Sequence, residues 1–207
     1  MRVTRLAVVV VSAGVLAATG CTTRSAHTGG ASASPTARPA GGVDLAAAVR
    51  QWYRRVGTMS ASHYFDPQWC GMNQPDTIWL LGGGAPGGRT PPMSPERSCA
   101  VAANRPILAP VVNDVATAAP SPIPAPSPGG MNVTLDGRPL TPVRVTNGRP
   151  YAIVSAVPGN PLDLRAGTRL VDDGYWVLVD PGLAPGRHRL EIRAPGGSNR
   201  LWTLVAS

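Results

Sequence analysis

Glycine and proline break this chain so often that long helices have almost nowhere to form. Of 207 residues, 24 are Gly and 23 are Pro, and both favour turns over the interiors of regular elements. Apolar residues make up 43% of the chain, enough for a core, yet there is one Phe. The core must therefore be built from Val, Leu, Ile, Ala and the five Trp. Short strands separated by Gly/Pro turns satisfy both conditions.

The pattern from residue 58 onward agrees. Apolar or alternating runs mark strands at 77–81, 98–102, 106–113, 131–135, 143–146, 151–157, 175–180, 187–194 and 200–205. Asp136-Gly137 is a hairpin turn signal. Asp172-Asp173 before Gly174 reads as a turn at a strand entrance, and Gly82-Gly83-Gly84 as a flexible hairpin tip. Residues 114–130 carry an alternating proline run and read as an extended, polyproline-like loop. One helix is expected, at 44–56. Asp44 is its N-cap, Leu45, Ala48, Val49, Trp52 and Val56 share a face, and Gly57 ends it in a left-handed conformation. Arg50, Arg54 and Arg55 fall mainly on the opposite side. Such a helix packs its apolar face on its own domain; the alternative is a helix lying on a membrane surface. The expected fold is mainly β, an antiparallel β-sandwich of about nine short strands with one N-terminal helix.

The N-terminus addresses the chain to the outside. Arg2 and Arg5 precede an apolar run from Leu6 to about Ala18, followed by Thr19, Gly20 and Cys21. This order is that of a signal peptide over 1–20, short on its apolar side for a spanning helix. Small residues before a cysteine resemble a bacterial lipobox, with Ala18 where that pattern prefers Leu. The resemblance implies a lipidated Cys21, acylated with chains such as palmitate, at the outer face of the cytoplasmic membrane. The alternative is cleavage and secretion. Residues 21–42, rich in Gly, Ser, Thr and Pro, form a flexible linker. A single domain then occupies 43–207, with the Pro-rich loop at 114–130 inside it.

Nineteen basic residues, all Arg, against eleven acidic ones give a net charge of +8. The Arg residues are scattered and read as a solvated basic surface. Export removes nucleic acid as a partner and leaves the membrane through the lipid anchor, an envelope protein or a wall polysaccharide. Cys70 and Cys99 are the remaining thiols, and an oxidising exterior favours a disulfide between them. The other reading, two thiols acting as nucleophile or metal ligands, finds no Cys-x-x-Cys spacing and no Cys/His cluster to support it.

Two blocks occur together. One runs Cys70-Gly71, Gln74, Ile78-Trp79-Leu80-Leu81-Gly82-Gly83, Cys99-Ala100-Val101, Arg105-Pro106-Ile107-Leu108 and Pro110-Val111-Val112-Asn113. The other runs Asp173-Gly174-Tyr175-Trp176-Val177-Leu178-Val179, Pro181 and Leu183-Ala184-Pro185-Gly186-Arg187-His188. As a set they resemble uncharacterised exported proteins and lipoproteins of actinobacteria, across most of residues 65–205. The resemblance implies export, a Cys70–Cys99 pair and one domain. It carries no catalytic residue with it.

Candidate chemistry is sparse. Ser60, Ser62, His63 and Asp66 crowd one turn-rich stretch, as a nucleophile and its base would, but no nucleophile elbow is present. Glu96 and Glu191 are the only Glu, and Glu191 takes the outward phase of its strand. No Asp-x-Asp array suggests calcium, and no Lys-Ser/Thr follows the glycines to make a phosphate loop. Trp69, Tyr151, Tyr175, Trp176 and Trp202 are the candidate binding aromatics, either stacking on a ligand or filling the core. The reading is a non-enzymatic envelope binding module with no catalytic residue, metal or cofactor. The alternatives are a hydrolase joining His63 or His188 to distant Asp residues, or a carbohydrate-binding domain.

Overall fold

The computed structural model describes residues 42–83, 96–117, 129–195 and 199–207. The expected signal peptide, Cys21, nearly all of the linker and residues 118–128 of the Pro-rich loop lie outside the described residues. Helix α1, Leu45–Gly57, is followed by a short helix α2, Ala61–Phe65, and a 3-10 turn, Pro67–Trp69. Nine strands come next: β1 Trp79–Leu80, β2 Glu96–Val101, β3 Ile107–Thr117, β4 Asn132–Leu135, β5 Arg138–Leu140, β6 Val143–Ala152, β7 Arg169–Val179, β8 Gly186–Arg193 and β9 Arg200–Ala206. They form a four-stranded sheet in the order β1-β3-β7-β6 and a five-stranded sheet in the order β2-β9-β8-β4-β5. The chain is a mainly β sandwich, as expected.

The sheets are mixed rather than wholly antiparallel. β1 pairs with β3 in parallel, and β2 pairs with β9 in parallel. The reason is connectivity: between β1 and β3 the chain visits the other sheet as β2, so it re-enters in its original direction. Hairpins force antiparallel pairing only between directly joined strands. The Asp136-Gly137 turn joins β4 to β5 with φ of 51° and 76° at its two central residues, the combination a primed two-residue turn needs.

Two cores occupy the two faces of the four-stranded sheet. Between the sheets lie Ile107, Ala109, Val111, Val177 and Val179 from one side, with Leu190, Ile192, Trp202 and Leu204 from the other. On the outer face, α1 presses Val49, Trp52, Tyr53 and Val56 onto Leu108, Leu170 and Trp176. The expected apolar face of α1 thus packs on its own domain. Asp44 caps the helix as expected, its carboxylate accepting from the Ala47 N–H at 3.0 Å. A bulge at Val111 in β3 switches which side of that strand faces the helix.

Four local expectations are corrected. Gly57 is the last residue of α1 without a left-handed φ, and its backbone packs against Ile153. Gly82 and Gly83 are buried beside Tyr64 and Pro110, not a flexible tip. Residues 114–117 continue β3 instead of opening the Pro-rich loop. Asp172 and Asp173 are buried within β7, not in a turn. They sit there because β6, paired alongside, brings Asn147 and Tyr151 to one and Arg144 and Thr146 to the other.

Cys70 and Cys99 form a disulfide, Cα–Cα 5.9 Å, tying the turn after Pro67–Trp69 to β2. Closing a loop between residues 29 apart stabilises the fold by roughly 3–4 kcal/mol in the chain-entropy model. The Cys70→Ala/Cys99→Ala double variant is expected to lose about that much in urea unfolding, with reduction of the parent protein giving a matching loss. A parent protein indifferent to reductant would contradict it.

Candidate anion-binding cleft

Three arginines far apart in sequence end up buried together. Arg55 comes from the last turn of α1, Arg97 from β2 and Arg200 from the start of β9; their exposures are 5%, 3% and 7%. The expected outward basic face of α1 is therefore corrected at Arg55, and the solvated basic surface at all three. Arg55 turns inward because its Nε and Nη2 donate to the carbonyls of Met72 and Cys70, at 2.9 and 3.0 Å. Arg200 Nη2 donates to the Val111 carbonyl at 2.6 Å, and the Arg97 guanidinium lies 5.1 Å over the Trp202 ring.

All three guanidiniums surround Tyr64. Its hydroxyl accepts the Gly83 N–H at 2.6 Å. Burial lowers the Arg55 pKa to about 10, with Tyr64 acting against the fall. Burial likewise brings Arg200 to about 10, Tyr64 opposing and Arg97 adding to the effect. Arg97 moves down for the same first reason. All three stay charged at neutral pH. The eleven Asp and Glu side chains all fall among the described residues, and none forms an ion pair with Arg55 or Arg200.

Arg55, Arg97, Tyr64, Trp202 and Gly82 line the inner part of a cleft whose lip carries Asp66, Pro67 and Trp69; its cavity volume is about 10 Å³. Among the described residues, Arg55 Nη1 and Trp202 Nε1 of the cleft wall are buried and find no hydrogen-bond acceptor, and the same holds for Arg200 Nε outside that wall and for the Trp79 and Trp176 indoles elsewhere in the fold. A buried donor without an acceptor costs about 1–3 kcal/mol, more when charged. The site is rich in donors and positive charge. Its chemistry is that of holding an anion.

The expected aromatics divide. Trp176 is buried in the helix-side core, Trp202 in the inter-sheet core at the inner end of the cleft, and Tyr151 is buried with its hydroxyl on Asp172. Tyr175 is half-buried against the inter-sheet core. Trp69, 37% exposed, is the one at the lip of the cleft, with the His63 ring tilted against it at 4.4 Å. Near it, Ser60 caps α2 through the His63 N–H and its hydroxyl meets that of Ser62 at 2.9 Å, while Asp66 accepts from Gln68. This is a capping arrangement, with no bond from the His63 ring to either serine.

His188 does meet a distant carboxylate. Its Nδ1 lies 2.8 Å from Asp136 Oδ2 and its Nε2 3.0 Å from the Ala184 carbonyl. The bond to Asp136 raises the imidazole pKa. With both ring nitrogens engaged, the pair fastens the β4–β5 turn to β8 and presents no base. Among the described residues no three His, Cys, Asp or Glu side chains converge as a metal site would require.

A second buried polar group fastens α1 to the sheet. Asp172 accepts from Tyr151 OH at 2.7 Å and from Asn147 Nδ2 at 3.1 Å, and Arg50 Nη1 donates to Asn147 Oδ1 at 2.7 Å. Burial raises the Asp172 pKa to about 6, against the lowering influence of Tyr151, Asn147 and Arg50. The folded protein then binds this proton more tightly than the unfolded chain. Asp172 therefore favours folding most at acid pH, and its contribution falls as pH rises from about 4 to about 6. Asp172→Asn removes that dependence, so urea unfolding should show the variant gaining on the parent by roughly 2–3 kcal/mol over this window. A gap between the two proteins that stays constant with pH would refute it.

The sequence reading missed the arginine cluster, but a signal existed. Arg97 falls in phase with Cys99 and Val101, and Arg200 with Trp202, Leu204 and Ala206, each a charge at the inward step of an alternating strand. No protein-family model, curated protein or solved structure matches this chain.

Proposed function

We propose that this protein is a cell-envelope lipoprotein, held at the outer face of the cytoplasmic membrane through Cys21, whose domain is a non-enzymatic binding module taking an anionic group at the arginine cleft. The observation that carries the reading is the buried Arg55 guanidinium in the cleft wall, with an N–H lacking an acceptor and no carboxylate partner among the described residues, beside the equally unpartnered Trp202 Nε1. The Cys70–Cys99 disulfide is compatible with an oxidising compartment outside the cytoplasm.

Thermal unfolding of the full chain in buffers that exchange chloride, acetate and phosphate at fixed ionic strength tests the cleft. An anion that occupies it at 100 times its Kd adds about 2.7 kcal/mol, a rise in Tm of roughly 5–10 °C for a chain of this size. Identical Tm values in every anion would reject the cleft as a binding site. Membrane fractionation of the Cys21→Ala variant tests the anchor: release into the soluble fraction supports it, and unchanged retention rejects it.

A further inference from the structure

Resting on the membrane-anchor reading, we infer that the domain touches the membrane through the end of the four-stranded sheet where β6 finishes and β7 begins, and that its partner there is an anionic phospholipid surface. β6 is an edge strand. Ile153, just past its end, exchanges hydrogen bonds with Thr168 and Gly167 on the β7 side, so the alternate carbonyls of Pro150 and Ala152 point away from the sheet. Guanidiniums cover both. Arg169 Nη2 donates to the Pro150 carbonyl at 2.8 Å, and Arg54 Nε, from α1, to that of Ala152 at 3.4 Å. Pro150 itself has no N–H to offer a neighbouring strand. This stretch of edge is closed to strand addition and presents cations instead.

Two more arginines join them. Arg149 precedes the covered carbonyls, and Arg165 begins the turn to Thr168 that rests against Ile153. Arg54, Arg149, Arg165 and Arg169 are all exposed, and none forms an ion pair. Asp163 is the one exposed carboxylate on the adjoining loop, so the cations outnumber it four to one. Among them stands Val154, 73% exposed, the most exposed large apolar side chain among the described residues. This combination selects the partner. Guanidiniums pair with phosphate oxygens. An apolar side chain set between them gains only where a nonpolar layer lies just beneath the charges, as it does under phospholipid head groups. A soluble anionic polymer would match the charge and leave Val154 in water.

The full chain bearing Cys21→Ala and Val154→Cys, labelled at residue 154 with an environment-sensitive dye, tests the contact. The probes are vesicles of phosphatidylcholine alone, and of phosphatidylcholine and phosphatidylglycerol in equal parts. The dye should shift to the blue on the anionic vesicles, stay unshifted on the neutral ones, and lose its shift in about 0.5 M NaCl. Each Arg near such a surface is worth about fivefold. Arg149→Gln/Arg165→Gln should therefore lower the ratio of shifted to unshifted dye about 25-fold, and Arg149→Lys/Arg165→Lys should restore most of it. Neither side chain makes a hydrogen bond or ion pair among the described residues, so these variants should unfold in urea with the parent. Equal shifts on the two vesicles, no shift on either, or a Gln variant that matches the parent overturns the contact. A shift with soluble polyglutamate in place of vesicles overturns the lipid. Fractionation of Cys21→Ala in the same high salt reads the anchor alone: retention there rejects the anchor and leaves the dye result standing, whereas an unshifted dye rejects the contact and leaves the anchor standing.

Discussion

Trp52→Ala is expected to remove about 4–6 kcal/mol of stability, enough to leave the domain largely unfolded at 37 °C. The Trp52 side chain is fully buried, its ring edge-on to Tyr53 at 5.0 Å, to Trp176 at 5.3 Å and to Tyr64 at 6.3 Å. Truncating a buried Trp to Ala costs about 3–5 kcal/mol through lost transfer energy and the cavity left behind. Its Nε1 also donates to the Leu81 carbonyl at 2.7 Å, and orphaning that acceptor adds roughly 1 kcal/mol. Whole domains are stable by only about 5–15 kcal/mol. Trp52→Phe separates the two contributions: it retains most of the packing and should cost about 1–2 kcal/mol, mainly the hydrogen bond. Urea unfolding followed by circular dichroism measures both, and a loss below about 2 kcal/mol for Trp52→Ala would refute the central place given to this ring. The effect reaches the cleft, because Trp52 fixes the helix that carries Arg55 and contacts the ring of Tyr64.

Gly182→Ala is expected to abolish folding altogether. Gly182 has φ of +108°, and a Cβ there would lie 2.2 Å from the Arg105 carbonyl oxygen, 2.6 Å from its carbon and 2.7 Å from its nitrogen. These are backbone atoms at the entrance to β3, so relief requires moving the strand. That strand start is held by Asn104 N–H donating to the Leu183 carbonyl at 2.8 Å and by Trp79 N–H donating to the Pro106 carbonyl at 2.7 Å. Gly167→Ala is the internal control. Its φ is +84° but nothing lies within 4 Å, so it should cost only the roughly 1–2 kcal/mol of a left-handed alanine. Soluble expression and cooperative unfolding should survive Gly167→Ala and be lost in Gly182→Ala. Similar losses in both would place the cost in backbone conformation alone.

Where the sequence was legible, the signal was local. The Asp44 cap and the spacing of Val49, Trp52 and Val56 specify α1 and its buried face, because i, i+3 and i+4 neighbours lie within one helix. Alternation in 187–194 specifies β8, and its buried Leu190 and Ile192 follow from period two alone. The Asp136-Gly137 turn is legible because only a few residues tolerate two successive positive φ values. The start of β7 was not. Two adjacent aspartates argue against a strand until Asn147, Tyr151, Arg144 and Thr146 are seen to satisfy them from β6.

The candidate cleft was the least legible part. Trp69 was visible as a candidate aromatic, but it stood in a group with Tyr151, Tyr175, Trp176 and Trp202, most of which pack in the cores. The arginines at 55, 97 and 200 carry no shared spacing. Their meeting depends on β2 joining β9 in parallel, which places Arg97 opposite Trp202, and on α1 ending where the disulfide holds the 70–72 turn.

From the chain itself came the elements that short-range physics decides: a capped amphipathic helix, short strands between Gly and Pro turns, and a mainly β class. Only the tertiary structure decided the mixed pairing of the two sheets, the burial of Asp172 and Asp173, and the convergence of three like charges around Tyr64. Each of these rests on partners tens of residues away, and a buried charge takes its meaning from what surrounds it rather than from its neighbours along the chain.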